Sequence, residues 1–124
     1  MHSGGSSLFK DNLENSNYKK IKVKGTTLDK YCSLKEVSPS FIKLDIEGGE
    51  YLALQGAIKT LKKYSPQIAM ELKNDQKHKK AASFLFELDY KVFEIKDSGN
   101  LNQINELDFS SLGGTNFVFK RGYN

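Results

Sequence analysis

The pattern of hydrophobic and polar positions is most regular in residues 41–72. A short apolar run typical of a buried strand comes first, formed by Phe41, Ile42, Leu44 and Ile46. After Gly48-Gly49, apolar residues recur at i, i+3, i+4 and i+7, which predicts one buried helical face made by Leu54, Ala57, Ile58 and Leu61. Pro66 ends this helix near Tyr64, and a second apolar run follows at residues 68–72. The segment therefore predicts two parallel strands joined by a crossover helix.

The segment before this unit has weaker signals. Tyr18–Gly25 alternates apolar residues with lysines, which predicts a short strand with one solvent-exposed face. Thr26 with Asp29 three residues later resembles a capping box and predicts a short helix that ends by Val37. Residues 1–17 are polar and rich in glycine and serine, so we expect them to be flexible.

The segment after this unit predicts a second crossover helix and two more strands. Asn74 or Asp75 can cap the helix. Its apolar face comprises Ala81, Phe84, Leu85 and Leu88. Tyr90–Ile95 and Thr115–Lys120 then predict an antiparallel pair, and Leu101–Leu112 predicts a loop with one short helical turn. The expected fold class is α/β, a partial doubly wound sheet with mainly parallel strands and a C-terminal antiparallel pair, in a single domain over residues 1–124.

Composition adds limits to this picture. The chain has 124 residues, 38% hydrophobic and 27% charged, and no apolar run approaches the roughly 20 residues of a membrane span. Its start lacks a basic segment followed by an apolar stretch, so we expect a cytoplasmic protein that is not embedded in a membrane. The single cysteine, Cys32, lies among apolar residues and is expected to be a small buried side chain.

The net charge of +4 includes a local cluster at Lys73, Lys77, Lys79 and Lys80. Such a cluster can meet phosphate or an acidic glycan, but more often it is a solvated helix face. Arginine, which recognises the edges of nucleic-acid bases better than lysine does, appears only once, at Arg121. The sequence therefore disfavours a nucleic-acid partner.

Carboxylates at the predicted strand ends give the strongest chemical signal. They are Asp45, Glu47, Glu50 and Glu71. Ligands of open α/β sheets bind beyond the carboxyl ends of strands, where a carboxylate can bind hydroxyl groups or act as a general base. Strand alternation would place Asp45 and Glu47 on one side as a pair. Glu50 can equally be a first-turn acid favoured by the helix dipole, and Glu71 can pair with Lys43 or Lys73.

Other chemistries find less support. Two carboxylates at a strand end could hold Mg²⁺. A zinc site is not expected, because His2 and His78 have no partner at metal-ligand spacing. The chain has no G-x-S-x-G elbow and no G-x-G-x-x-G fingerprint, and Cys32 does not suggest a nucleophile.

The central motif resembles the FkbM-type S-adenosylmethionine-dependent methyltransferases. The matching residues are Ile42-Lys43-Leu44-Asp45-Ile46-Glu47-Gly48, Glu50, Leu54, Gly56-Ala57, Pro66 and Glu71, with Gly5-Ser6-Ser7-Leu8, Thr27-Leu28-Asp29 and Thr115–Phe119 outside the central unit. The resemblance implies a Rossmann-like class I methyltransferase sheet, S-adenosylmethionine as cofactor, and O-methylation of a sugar or small-metabolite hydroxyl. It does not require a metal. It indicates catalytic roles for Asp45 and Glu47 and substrate binding by Lys43, Glu50 and Glu71.

The resemblance covers only the C-terminal half of a family domain, because the glycine-rich strand–loop–helix that holds the cofactor has no counterpart here. We therefore expect the chain alone to be inactive and to bind the cofactor weakly, and no cofactor-binding residue is assigned. The alternative is a non-catalytic α/β module or truncated remnant that pairs with another chain. An exposed sheet edge would also allow a homo-oligomer.

Overall fold

The computed structural model describes residues 17–122, so all but the last residue of the segment 1–17, predicted to be flexible, lies outside that range. The elements, in chain order, are α1 (Leu28–Lys35), β1 (Phe41–Leu44), α2 (Glu50–Gln55), α3 (Ile58–Tyr64), β2 (Gln67–Lys73), α4 (Gln76–Glu87), β3 (Tyr90–Ile95), β4 (Leu101–Ile104), a 3₁₀ turn (Phe109–Ser111) and β5 (Gly113–Arg121). In this range no helix is both long enough and apolar enough to cross a membrane.

The strands form one mixed sheet in the order β1-β2-β5-β3-β4. β1 and β2 are parallel, with Phe41 opposite Gln67 and Leu44 opposite Met70, which confirms the predicted βαβ unit. β5 runs antiparallel to both β2 and β3, and β4 runs antiparallel to β3. The expectation of mainly parallel pairing is therefore wrong, because β5 enters between β2 and β3. Since β5 is antiparallel to both, β1, β2 and β3 still point in the same direction.

The crossover between β1 and β2 consists of two short helices, whereas the sequence predicted one. Leu54, Ala57 and Leu61 are buried as expected, but Ile58 is exposed. The break falls at Gly56, whose carbonyl accepts a hydrogen bond from the backbone N–H of Asp29 at 2.9 Å. A Cβ at Gly56 would lie 3.0 Å from the Thr27 Cβ, so the glycine allows the start of α1 to approach closely.

The segment before α1 differs from its prediction. Tyr18–Gly25 has no regular structure, and the predicted strand is wrong. Ile21 and Val23 are 75% and 81% exposed, so the alternating pattern supplies no apolar face that packs on the sheet. The capping box also differs, because the Thr27 hydroxyl accepts the cap hydrogen bond from the Lys30 N–H at 3.1 Å.

The segment after β2 follows the prediction until residue 100. Asp75 caps α4, and Ala81 and Leu85 are buried on its inner face. The turn after β3 closes through a hydrogen bond from the Lys96 N–H to the Asn100 carbonyl at 2.8 Å. This turn folds residues 101–104 back onto β3 as β4, so the prediction of a loop there is wrong, whereas the helical turn is confirmed by the 3₁₀ turn.

A continuous hydrophobic core lies between the sheet and the helices. Its buried members are Leu54, Ala57, Leu61, Ile68, Met70, Leu72, Ala81, Ala82, Leu85, Tyr90, Val92, Phe117 and Phe119. Cys32 is also buried, as predicted. The core holds β1, β2 and α4 in the arrangement that forms the cleft described next.

Candidate functional site

The acidic turn, residues 45–50, connects β1 to α2. β1 ends at Leu44, and the Gly49 N–H donates to the Ile46 carbonyl at 3.2 Å. Glu47 and Gly48 have φ values of +52° and +95°, as in a turn whose two central residues are left-handed. Asp45 and Glu47 are therefore outside the strand, and the prediction that strand alternation pairs them is wrong. The left-handed conformation costs a non-glycine residue such as Glu47 about 1–2 kcal/mol.

A cleft of about 160 Å³ lies between the acidic turn, the end of β2 and the start of α4. It is lined by Asp45, Glu47, Gly48, Glu50, Glu71, Lys73, Asp75, Lys77 and His78. The four carboxylates that the sequence placed at the strand ends thus face one space. Lys43 is exposed on β1 and is not among these lining residues.

Glu71 lies on β2 and lines the cleft. Its Oε1 is 3.7 Å from the Lys73 Nζ, so one of the two lysine pairings considered from the sequence is present. The pairing of β2 with β5 is irregular between Leu72 and Lys73. Gly114, with φ +101°, lies beside this irregularity, and a Cβ there would be 3.2 Å from the Glu71 Oε2. The glycine therefore leaves room for the Glu71 carboxylate.

Glu50 is the most enclosed carboxylate of the cleft, with 4% of the residue exposed. Its Oε2 accepts a hydrogen bond from the Gly48 N–H at 2.8 Å. Its Oε1 is 3.4 Å from the Nε2 of His78. The position of Glu50 in the first turn of α2 agrees with the helix-dipole interpretation, but the side chain also supports the acidic turn.

His78 is a residue of the cleft for which the sequence predicted no role. It lies on α4 with 5% of the residue exposed, and its Nδ1 is 2.7 Å from the Asp75 Oδ1. The same Asp75 oxygen accepts the His78 backbone N–H at 2.8 Å. The sequence did contain a signal for the contact with Asp75, because a residue three places after an N-cap Asp lies beside the cap carboxylate.

The ionisation of Asp75 follows from these contacts. Burial alone would raise the pKa of this carboxyl group. Hydrogen bonds from the backbone amide and imidazole of His78, with the nearby positive charge of Lys73, outweigh burial and hold the pKa below its ordinary value. Asp75 is therefore an ionised acceptor at neutral pH.

The cleft suits a small hydroxylated group better than a nucleoside. Its volume is below the roughly 300–1,000 Å³ of pockets that enclose whole small-molecule ligands, and its lining side chains are charged. The residues of the acidic cleft therefore do not fit the adenosyl group of a cofactor. Nor do any three Asp, Glu, His or Cys residues in 17–122 lie close enough to hold a metal ion.

A larger cavity of about 400 Å³ lies between α4, β3 and residues 103–109. Phe86, Tyr90 and Phe109 contribute to its walls, and it shares no lining residue with the acidic cleft. Tyr90 is the first residue of β3, so this cavity is at the amino end of that strand. Because ligands of α/β sheets bind at carboxyl ends, the acidic cleft remains the candidate site.

Residues 2–92 match the family model described as the Methyltransferase FkbM domain. No curated protein and no solved structure matches the chain.

Proposed function

The chain belongs to the FkbM methyltransferase family, and from that membership we propose that its acidic cleft binds the methyl acceptor in S-adenosylmethionine-dependent O-methylation. The acceptor is a hydroxyl group of a sugar or other small metabolite. Asp45 and Glu47 act on the acceptor hydroxyl, while Glu50 and Glu71 line the space that holds the rest of the acceptor.

The observation that supports this proposal is the convergence of carboxylates at the carboxyl ends of β1 and β2. Asp45 and Glu47 are exposed in the turn after β1, and Glu71 reaches the same cleft from β2. β1, β2 and β3 share one direction, which agrees with half of a Rossmann-like sheet. In such sheets this edge is the usual ligand site.

The chain's residues supply orientation and a proton acceptor. When bound, S-adenosylmethionine supplies an electrophilic methyl group. A carboxylate within hydrogen-bond distance of the acceptor hydroxyl would take up its proton as the methyl group passes from the sulfonium sulfur, whose S–C bond breaks to leave a thioether, to the acceptor oxygen, a contribution of roughly 10²–10⁴ in rate. Ionised carboxylates also hold neighbouring hydroxyl groups, because they accept hydrogen bonds in several directions. Lys43, exposed on β1, contributes only if the acceptor extends beyond the cleft.

The test is methyl transfer by the chain expressed with any in-frame sequence encoded upstream of Met1. A panel of sugars and hydroxylated metabolites is incubated with S-adenosylmethionine, and methylated products are detected by mass spectrometry. Asp45→Asn is expected to lower turnover by roughly 10²-fold. Asp97→Asn, in the turn after β3, is the control and is expected to retain turnover. Full activity of Asp45→Asn would contradict the assignment.

A non-catalytic module that pairs with another chain is the second candidate. It is favoured by β1, which pairs with β2 on one side and has no strand on its other side within residues 17–122. Phe41 on this strand is 54% exposed. Absence of methyl transfer across the panel, together with a stable complex through β1, would favour this candidate.

A further inference from the structure

His78 connects the amino ends of two helices through two carboxylates. Its Nδ1 is 2.7 Å from the Asp75 cap of α4, and its Nε2 is 3.4 Å from Glu50 at the start of α2. We propose that His78 is a positioning residue that shares one proton with Glu50 and thereby fixes the acidic turn against the start of α4. This inference rests on the proposed function only for the catalytic role of the acidic turn.

The hydrogen-bond geometry determines where the first imidazole proton lies. An ionised carboxylate can only accept hydrogen bonds, and Asp75 is ionised at neutral pH. At 2.7 Å, the Nδ1 of His78 must therefore donate to the Asp75 Oδ1. The Nδ1 atom carries a hydrogen, and in a neutral ring the Nε2 atom would have only a lone pair.

That lone pair would face the Glu50 carboxylate. The His78 and Glu50 side chains are only 6% and 5% exposed. A neutral imidazole beside an ionised carboxylate would place two acceptors 3.4 Å apart, which is unfavourable where so little of either side chain is exposed. One further proton makes the contact attractive, either as an imidazolium facing a carboxylate or as a carboxylic acid facing the ring nitrogen.

The shared proton acts on the acidic turn through Glu50. The second Glu50 oxygen accepts the Gly48 N–H at 2.8 Å, and Gly48 follows Glu47, the residue held at φ +52°. A fixed Glu50 therefore fixes the backbone that presents the proposed base. If the pair loses its proton, Glu50 and His78 no longer attract, and the hydrogen bond to Gly48 weakens.

Other charged groups around the cleft act on the same proton in opposite directions. The acids that face the pair favour its retention, and they are Asp45 and Glu47 from the turn, Glu71 from β2 and Asp75 from α4. The cations that face it favour its release, and they are Lys73 from β2 and Lys77 from α4. The pH at which the proton leaves reports the balance of these groups.

Nuclear magnetic resonance on the ¹⁵N- and ¹³C-labelled chain tests the proposal without an activity assay. His2 is the only other histidine, so His2→Ala assigns the ring signals of His78. Ring nitrogen, Glu50 carboxyl and Gly48 amide signals are followed over roughly pH 5 to 9, where histidines change charge. We expect one proton on the pair at neutral pH, and a Gly48 amide signal that shifts together with the loss of that proton.

Glu50→Gln is the matched variant, because its amide NH₂ can donate to the Nε2 of a neutral His78 while its oxygen still accepts from Gly48. In this variant we expect His78 to be neutral with hydrogen on Nδ1, and the Gly48 amide signal to lose its pH dependence. A neutral His78 beside an ionised Glu50 in the unmodified chain would overturn the proposal. So would a Gly48 signal that ignores the titration, or the same titration in Glu50→Gln. These outcomes leave the methyl-transfer assay unaffected, so failure of this inference is distinct from failure of the proposed function.

Discussion

Asp29, on α1, caps the start of α3 by accepting hydrogen bonds from the backbone N–H and the hydroxyl of Thr60, at 2.8 and 2.7 Å. Its second oxygen accepts the Lys59 N–H at 3.1 Å. The N-cap residue of α3 is Ala57, which offers no side-chain cap. Asp29 thus satisfies donors at the start of α3 and joins α1 to it.

The first prediction is that Asp29→Ala lowers the free energy of unfolding by about 1–2 kcal/mol, because the start of α3 loses its capping acceptor. Lys30→Ala is the matched control, since its exposed side chain lies on the same helix, and a change within about 0.5 kcal/mol is expected. Chemical denaturation of both variants makes the measurement. Equal stabilities would contradict the capping role.

Acid titration of the same variants provides a second measurement. Burial alone would raise the pKa of Asp29, but the hydrogen bonds from Thr60 and Lys59 outweigh it, and the pKa is lowered. A folded-state pKa below the unfolded value of about 3.9 gives stability that is present above that pH and is lost as pH falls through the folded-state pKa. Asp29→Ala is therefore expected to lose less stability than the unmodified chain below about pH 4.

The second prediction concerns Tyr90, whose hydroxyl donates to the Pro66 carbonyl at 2.8 Å. Burial raises the pKa of Tyr90 to about 12, although the positive charge of Arg121 opposes the rise. A raised pKa gives stability that is complete below the unfolded value of about 10 and is lost as pH rises toward 12. Tyr90→Phe is expected to cost about 1 kcal/mol at pH 7 and to show a shallower alkaline loss.

The control for Tyr90→Phe is Tyr31→Phe, because Tyr31 is 47% exposed. Denaturation at pH 7, 10 and 11 makes the comparison. We expect the disadvantage of Tyr90→Phe to shrink as pH rises, while Tyr31→Phe follows the unmodified chain throughout. A constant difference at all three pH values would show that Tyr90 titrates alike in the folded and unfolded states.

The third prediction separates the backbone of Glu47 from its carboxylate. Glu47→Gly and Glu47→Ala both remove the carboxylate, so each should lower methyl transfer by roughly 10²-fold if Glu47 takes part in catalysis. Only glycine relieves the left-handed conformation at φ +52°. Glu47→Gly is therefore expected to be about 1 kcal/mol more stable than Glu47→Ala. Retained turnover in both variants would remove Glu47 from the site.

The fourth prediction is that the 124-residue chain binds S-adenosylmethionine weakly. The acidic cleft of about 160 Å³ has a charged lining and offers no enclosure for the adenosyl group. Isothermal titration calorimetry should give a dissociation constant well above 1 μM, the value that corresponds to about −8 kcal/mol. Micromolar or tighter binding would show that another part of this chain forms a cofactor site.

The fifth prediction is self-association through β1. Unpaired edge strands with apolar side chains pair with other chains, and Phe41 is exposed on this edge. Light scattering should show dimers or larger species that diminish in Phe41→Lys. Leu101→Lys, on the opposite edge strand β4, is the control and should leave the association unchanged. A monomer at high concentration for the unmodified chain would contradict the prediction.

The sequence was most informative where one local pattern determined the structure. The βαβ unit followed from the apolar runs on either side of a helical face. The cap of α4 was predicted to be Asn74 or Asp75, and it is Asp75. The carboxylates were found because strand ends can be read from the sequence. Their convergence in one cleft could be predicted once β1 and β2 were predicted to be parallel.

The parts that the sequence could not predict depend on contacts between distant residues. The crossover helix breaks at Gly56, where the start of α1 approaches closely. The same approach brings the Asp29 carboxylate within hydrogen-bond distance of α3. The insertion of β5 between β2 and β3 depends on the whole sheet. His78 received no role because its two carboxylate partners come from separate helices, and only the fold brings Glu50 to it.

The position of β5 in the sheet also has a consequence for synthesis on the ribosome. β5 ends at Arg121, yet it is the strand that joins β2 to β3. Until β5 has left the ribosomal exit tunnel, β2 and β3 of the nascent chain expose the edges that it will occupy, and their buried faces stay open to chaperones or to neighbouring chains. Folding of the whole sheet must therefore follow translation of its last strand, and a stop codon before Gly113 would leave two fragments of sheet with no strand to join them.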